Sequence, residues 1–227
     1  MRTDPGEADQ LIAAITIKVS SFFRNPLVFE LVAQEILPDI IERKGRRRNR
    51  EIRIWSAGCA TGEEAYSLSI LIHQAMKGKL ADWAILIFAT DLDASAIETA
   101  RAGVYARDRL ESVKLGVLDK YFDAVGERFR VRPFLRRIVR FSQDDLTSPK
   151  LTSPSESIFG AFDLVFCRNV LVYFSPEVQA EVCRKLYKSL ARGGYLVLGD
   201  SESLSKKMES KFQTLDSKNR IFRKPLR

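Results

Sequence analysis

The chain has 227 residues, 45% of them hydrophobic, and a formal charge of +8, which suits one substantial globular domain with a small attachment and excludes a disordered or low-complexity polymer. No apolar run approaches the ~20 residues of a membrane-spanning helix, and the opening MRTDPGEADQ lacks the apolar core of a secretion signal. A cytoplasmic location without stable membrane insertion is therefore expected. Cys59, Cys167 and Cys183 show no metal-ligand spacing, so the expectation is three reduced, buried thiols and no metal. The one histidine, His73, sits in a helical apolar pattern with no motif around it. The positive balance points to an acidic partner, whether nucleic acid, an anionic membrane face or an acidic protein. Its densest stretch, residues 43–50 (RKGRRRNR), reads as a solvated loop.

Asn25-Pro26 predicts a helix start, with asparagine as cap and proline in the first turn, followed by Val28, Leu31, Val32 and Ile36. Pro38 is expected to kink or end that helix. Residues 52–55, ending in Ser56-Ala57-Gly58, predict a buried parallel strand. Residues 63–76 predict a helix with Ala65, Leu68, Ser69 and Ile72 on one face. Residues 84–89, closed by Thr90-Asp91-Leu92-Asp93, predict a second strand, and 94–102 a helix stopped by Gly103. This rhythm means βαβ units and a parallel sheet. Residues 129–132 and 138–141 alternate apolar and basic side chains around Pro133, the signature of antiparallel strands with one wet face. They predict a small β insertion at about 120–141. A surface loop is expected over 146–157. Then come a strand at 162–167, a helix opened by Ser175-Pro176-Glu177 and closed by Gly193-Gly194, and a strand at 195–199. Residues 212–215 and 220–223 flank Asp216-Ser217-Lys218-Asn219 as a terminal hairpin. The expected fold is α/β, a mostly parallel sheet with a terminal antiparallel hairpin, divided into an N-terminal helical segment (1–50) and a main domain (51–227).

Gly58-Cys59-Ala60-Thr61-Gly62 joins the first strand to its helix, where small residues let the backbone approach a ligand. The loop departs from the dinucleotide fingerprint, because Ala60 replaces the second glycine and Glu63 stands where the third would fall. Glu63-Glu64 at the helix start suit the helix dipole but oppose a pyrophosphate there. A phosphate-free nucleoside carrying a sulfonium meets no such objection, which favours S-adenosylmethionine over NAD, FAD or ATP. The plainer reading is that the two acids only support the first helical turn. Asp91, ending the second strand, is placed to accept hydrogen bonds from ribose hydroxyls; its alternative role as a helix cap suits Asp93 better.

Four strings carry a resemblance: Ser21-Phe22-Phe23-Arg24, residues 55–64 (WSAGCATGEE), residues 167–174 (CRNVLVYF) and Ser201-Glu202-Ser203-Leu204. Their order and separation resemble the CheR family of chemotaxis receptor glutamate methyltransferases from about Ile15 onward. The resemblance implies a Rossmann-like S-adenosylmethionine methyltransferase sheet with a small inserted β subdomain, which in some members docks a receptor's C-terminal peptide. It implies methyl transfer from S-adenosylmethionine to a glutamate carboxylate of a chemoreceptor or related signalling protein, leaving S-adenosylhomocysteine. Positions matching Ser20, Arg24, Glu64, Asp91, Asp145, Leu146, Asn169 and Val170 line the family's cofactor site, beside the loop positions Gly58 and Ala60. Those matching Arg24 and Tyr173 lie nearest the transferred methyl and are the expected catalytic pair. Departures are Lys18 for asparagine, Ser20 for threonine, Ala65 for proline, Asp145 for asparagine and Asp200 for histidine. Lys18 would oppose a sulfonium unless turned away or paired; Asp145 is either its partner or a direct acceptor for the adenine amino group. The family's N-terminal helical domain is reduced to about one helix before Ser20.

A glutamate side chain, with a pKa of about 4.3, is already ionised at neutral pH, so this chemistry needs no general base and fits a chain with one histidine. Arg24 is expected to orient the substrate carboxylate or the cofactor through its planar donors, and Tyr173 to position the accepting oxygen. Two other readings stay open. One is a methyltransferase acting on RNA or a small molecule, favoured by the basic stretch; Asn169-Val170 does not resemble the Asn-Pro-Pro-Tyr type string used on base amino groups, so nucleic acid is the less expected partner. Binding that falls steeply with salt would support it. The other is a non-catalytic cofactor-binding signalling module, distinguished by cofactor binding without methyl transfer.

Overall fold

The computed structural model describes residues 20–46, 50–76, 78–149, 152–157 and 160–226. The N-terminal stretch with Lys18, and residues 47–49 of the basic run, lie outside the described residues. Helix α1 is assembled from three abutting segments, Pro26–Leu31, a π turn at Val32–Ile36, and Leu37–Arg46. Pro38 therefore does not end the helix. It lacks an N–H and crowds the preceding turn, and the π turn just before it, closed by Leu37 N–H on Val32 O, widens the backbone there. Asn25 occupies the cap position with φ +61° but makes no side-chain cap bond; its amide is used elsewhere.

The main sheet contains β1 (Glu51–Ala57), β2 (Ala84–Asp91), β6 (Val139–Gln143), β7 (Phe162–Cys167), β8 (Leu190–Leu198), β9 (Gln213–Asp216) and β10 (Ile221–Arg223), in the order β6-β2-β1-β7-β8-β10-β9. Pairs β2–β6, β1–β2, β1–β7 and β7–β8 are parallel, and β10 runs antiparallel to β8 and β9. Chain order reverses between β1 and β7, and such a switch point leaves a crevice at the carboxyl ends of the strands. The period of two divides the core. Ile52, Ile54, Leu164, Phe166, Tyr195 and Val197 face α1 and α2 (Glu63–Met76) in one cluster, while Trp55, Ala57, Val165, Cys167, Leu196 and Leu198 join a second cluster under α6 (Pro176–Ser189). Helix α3 (Ala94–Ala102) is capped by Asp93, which accepts from Ser95 and Ala96 N–H, and ends at Gly103 with φ +61°.

A second, three-stranded antiparallel sheet has the order β3 (Val104–Ala106), β5 (Arg128–Val131), β4 (Phe122–Val125), with α4 (Leu115–Tyr121) before β4 and α5 (Pro133–Arg136) after β5. The insertion is thus shifted from the expected 120–141. Residues 139–143 leave it and pair parallel with β2 as the edge of the main sheet. Their apolar–basic alternation reflects an edge strand with one wet side rather than a hairpin. Gly193 and Gly194 likewise do not close α6, which ends at Ser189; they lie inside β8, where Gly193 (φ +74°) donates its N–H to Lys224 O and Gly194 O accepts Lys224 N–H, near a register shift. Among the described residues no helix is long and apolar enough to cross a membrane.

The first four residues of the basic run, 43–46, belong to α1 and not to a loop. Arg43 and Lys44 sit in the last turns of α1, with Arg43 Nε 3.3 Å from Asp39 and Lys44 Nζ 3.0 Å from Asp163 on β7. Asp163 has no exposed side-chain surface and also accepts Arg53 N–H at 3.1 Å. Burial pushes its pKa up, and Lys44 pulls it back. Lys44→Met should therefore cost about 3 kcal/mol in urea denaturation at neutral pH, because it strands a buried carboxylate. In that variant the folded pKa of Asp163 rises further above its unfolded value, so the deficit relative to wild type should shrink as pH falls toward 4. A deficit under ~0.5 kcal/mol at neutral pH would mean that Lys44 is only a solvated side chain.

Candidate active site

At the carboxyl ends of β1, β2 and β7 lies a cavity of about 710 Å³. Its floor is the loop after β1. Gly58 N–H and Cys59 N–H donate to Thr90 O at 2.8 and 3.0 Å, Gly62 N–H to Cys59 O at 2.9 Å, and Ala60 N–H to Asp91 Oδ2 at 2.7 Å. Four loop amides are thus engaged within the protein, so they form no cradle for phosphate oxygens. Gly58 has φ +75°, and a Cβ there would come 2.2 Å from Val170 Cγ2, while one on Gly62 (φ +92°) would meet Ala100 Cβ at 2.7 Å. Both glycines are required by conformation and by close approach.

The two acids at the start of α2 separate in role. Glu63 is buried and accepts from the Thr61 hydroxyl at 2.9 and 2.7 Å, with Arg109 3.8 Å away. Glu64 lines the cavity, accepts from Ser56 Oγ at 2.6 Å, and lies 3.9 Å from Arg168 Nη1. Burial raises its pKa; Arg168, the Ser56 hydroxyl and Arg24 oppose that rise. Asp91 holds the loop through Ala60 and receives Asp93 N–H at 3.0 Å on its other oxygen. Burial raises its pKa against those two bonds. Each carboxylate oxygen retains a second acceptor site, so Asp91 can brace the loop and still face a hydroxyl.

The opposite wall follows β7. Asn169 adopts φ +60°, held by a carboxylate that is 2% exposed. Glu202 accepts Gly199 and Asn169 N–H on Oε2 at 2.6 and 3.0 Å, and Val170 and Leu171 N–H on Oε1 at 2.7 Å each. Beside it, Arg168 Nη1 donates to Arg24 O at 3.0 Å and Nη2 to Asn25 Oδ1 at 2.8 Å, while Asn25 Nδ2 donates to Asp200 Oδ2 at 2.6 Å. The segment carrying Ser20 and Arg24 is anchored by the buried Phe22 ring, edge-on to Tyr105 and Phe122 at 5.0 and 5.1 Å. Phe22 N–H on Arg109 O and Phe23 N–H on Ser67 Oγ reinforce it. Asp145 Oδ1 accepts the amide and hydroxyl of Thr147 at 2.8 and 2.6 Å, shaping the third wall, and Lys185 Nζ ties Leu146 O (2.8 Å) to Ser148 O.

All eleven residues singled out from sequence line this one cavity: Ser20, Arg24, Gly58, Ala60, Glu64, Asp91, Asp145, Leu146, Asn169, Val170 and Tyr173. Sequence reasoning assigned no role to Arg168 or Glu202, although both stand in the quoted strings. His73 lies elsewhere, half-buried, its Nδ1 3.1 Å from Tyr121 OH, with its pKa lowered chiefly by burial. The site's chemistry fits S-adenosylmethionine: two carboxylates, Glu64 and Asp91, at the wall, a volume within the range of nucleoside-sized sites, and four of the five loop amides bonded within the protein.

Gly58→Ala should weaken calorimetric binding of S-adenosylhomocysteine by on the order of 100-fold or ~2.7 kcal/mol, with little loss of helical content; binding within threefold of wild type contradicts the close approach to Val170. Glu202→Gln should lower unfolding stability by ~3 kcal/mol, since its amide NH₂ would face backbone donors. Unchanged denaturation midpoints would remove Glu202 from this role.

Residues 18–221 match the family described as CheR methyltransferase, SAM binding domain. The chain is 37% identical over 209 residues to chemotaxis protein methyltransferase 1 of Pseudomonas aeruginosa, spanning 88% of this chain and 71% of that protein. It is 33% identical over 217 residues to the chemotaxis protein methyltransferase of Listeria monocytogenes, spanning 96% and 77%. An uncharacterised 104.1 kDa protein of Rhodobacter capsulatus is 35% identical over 220 residues, 96% of this chain but 22% of that protein. With a matching family model over most of its length and a cavity built from the same strings, this chain belongs to the CheR methyltransferases and carries their S-adenosylmethionine-binding domain.

Proposed function

We propose that the chain esterifies a glutamate side chain of a chemoreceptor-type protein, using S-adenosylmethionine and leaving S-adenosylhomocysteine. The observation that carries this reading is a carboxylate-lined nucleoside cavity, with its loop amides engaged, opening beside an exposed arginine and a tyrosine that is 50% exposed, Arg24 and Tyr173. The bound cofactor supplies an electrophilic methyl on a cationic sulfonium. Ser20, Gly58, Ala60, Glu64, Asp91, Asp145, Leu146, Asn169 and Val170 are the residues that would hold it.

The chain's own groups then orient and desolvate. Arg24, its carbonyl fixed by Arg168, presents a planar set of donors at the cavity mouth to one oxygen of the incoming carboxylate. Tyr173 positions the other oxygen for in-line attack. No proton has to be removed, because the acceptor is ionised at neutral pH. Charge is neutralised as the bond forms, so water stabilises the separated partners more than the transition state, and a site that excludes water and aligns them lowers the barrier. Such a reaction uses no metal and no nucleic acid, and a receptor substrate would place the enzyme at the cytoplasmic face of the membrane without insertion.

With tritiated S-adenosylmethionine and receptor-containing membranes, the expected product releases labelled methanol in mild alkali; an alkali-stable label, or labelled RNA in place of receptor, contradicts the ester assignment. Arg24→Ala should abolish transfer while calorimetric cofactor binding remains measurable. Turnover within about tenfold of wild type, worth ~1.4 kcal/mol, would remove Arg24 from the reaction.

A further inference from the structure

A second cleft, of about 270 Å³, lies at the β6 edge of the main sheet and shares no residue with the first. Three arginines from three elements meet there: Arg101 from the last turn of α3, Arg136 from α5 and Arg140 from β6. Each is held by a backbone carbonyl. Arg101 Nη2 donates to Phe141 O at 2.6 Å, Arg136 Nη2 to Arg101 O at 2.8 Å, and Arg140 Nη1 to Arg137 O at 3.1 Å. The Tyr66 hydroxyl, lining the same cleft, donates to Ala100 O at 2.8 Å.

Among the described residues, none of these three arginines lies in an ion pair with a carboxylate. The one acidic side chain lining the cleft is the exposed Glu156, so three guanidinium charges against one carboxylate leave two positive charges around a small cavity. Gathering like charges is unfavourable unless an anion offsets them. The carbonyl bonds fix the arginine stems yet use few of the five N–H donors each guanidinium carries. Planar donor forks of this kind match the oxygen geometry of phosphate groups. The apolar lining residues Val139 and Phe141 are buried, so the cleft exposes no ring on which a base would stack, and its size suits one or two phosphate groups.

We propose that the Arg101–Arg136–Arg140 cleft is a binding site for a phosphate-type oxyanion, separate from the methyl-transfer site. Its recognition is of the phosphate group, whether free or carried by a nucleotide.

Isothermal titration of the whole chain with inorganic pyrophosphate, at ionic strength balanced with sodium chloride, tests it. The expected result is saturable binding of one equivalent, weakened at least tenfold by Arg140→Gln and tightened several-fold by Glu156→Gln. Both positions are exposed, so folding is not at stake, and S-adenosylhomocysteine affinity should be unchanged in both variants. A parallel titration with ATP identifies the carrier: tighter binding than pyrophosphate, still lost in Arg140→Gln, points to a nucleotide, and weaker binding to a free phosphate. No saturable heat, or an affinity that neither substitution alters, overturns the proposal by reducing the cleft to diffuse attraction, and leaves the methyltransferase reading untouched.

Discussion

Four backbone amides, from Gly199 and from Asn169 through Leu171, converge on the buried carboxylate of Glu202. A buried anion is expensive unless hydrogen-bonded, and charge-assisted bonds from four amides meet that need. The consequence reaches across the molecule. The bonds join the carboxyl ends of β7 and β8, hold Asn169 in its left-handed conformation, and bring Val170 against Gly58, where no Cβ fits. From the same turn Arg168 reaches back to fix the carbonyl of Arg24 and the amide of Asn25. The cavity is therefore a product of one ionic staple between two parallel strands and the loop that follows the first of them.

The electrostatics of the site rest on acids that come in adjacent pairs with divided duties. Glu63 turns to Thr61 and Arg109 while Glu64 faces the cavity. Asp93 caps α3 while Asp91 braces the glycine loop. Much of the chain's positive charge is likewise committed to structure. Lys44 pairs with Asp163, Lys185 ties down the loop after β6, and Arg53 lies over the rings of Phe88 and Phe162. These three cations among the described residues serve the fold and not a partner, although the composition carries a net charge of +8.

Much of the architecture was legible because local signals agreed with the global fold. The helices at 63–76 and 94–102 and the strand at 162–167 have the expected limits, since apolar period, cap and stop residue coincide there. Where the signal was ambiguous it misled. An amphipathic edge strand and a hairpin strand share the alternation seen at 138–141, and only pairing with β2 distinguishes them. Glycines mark helix ends and bulges alike, so Gly193 and Gly194 pointed to the wrong one. Asn25 has a cap residue's identity, but Arg168 and Asp200 outcompete the helix for its side chain. In the site, Gly58, Glu64 and Asp91 stood out through small-residue and charge logic, and Ser20, Arg24, Asp145, Asn169 and Tyr173 through resemblance. Arg168 and Glu202 were silent. Their partners lie 144 and 33 residues away in sequence, and no local pattern announces a bond of that span.

The preference for a cationic, phosphate-free nucleoside follows from four loop amides bonded inside the protein and from carboxylates at the cavity wall. Competitive calorimetry reads that preference directly, by titrating S-adenosylmethionine into the protein alone and then in the presence of NAD. The expected result is one saturable site for S-adenosylmethionine whose affinity millimolar NAD leaves unchanged. Displacement of S-adenosylmethionine by NAD would contradict it.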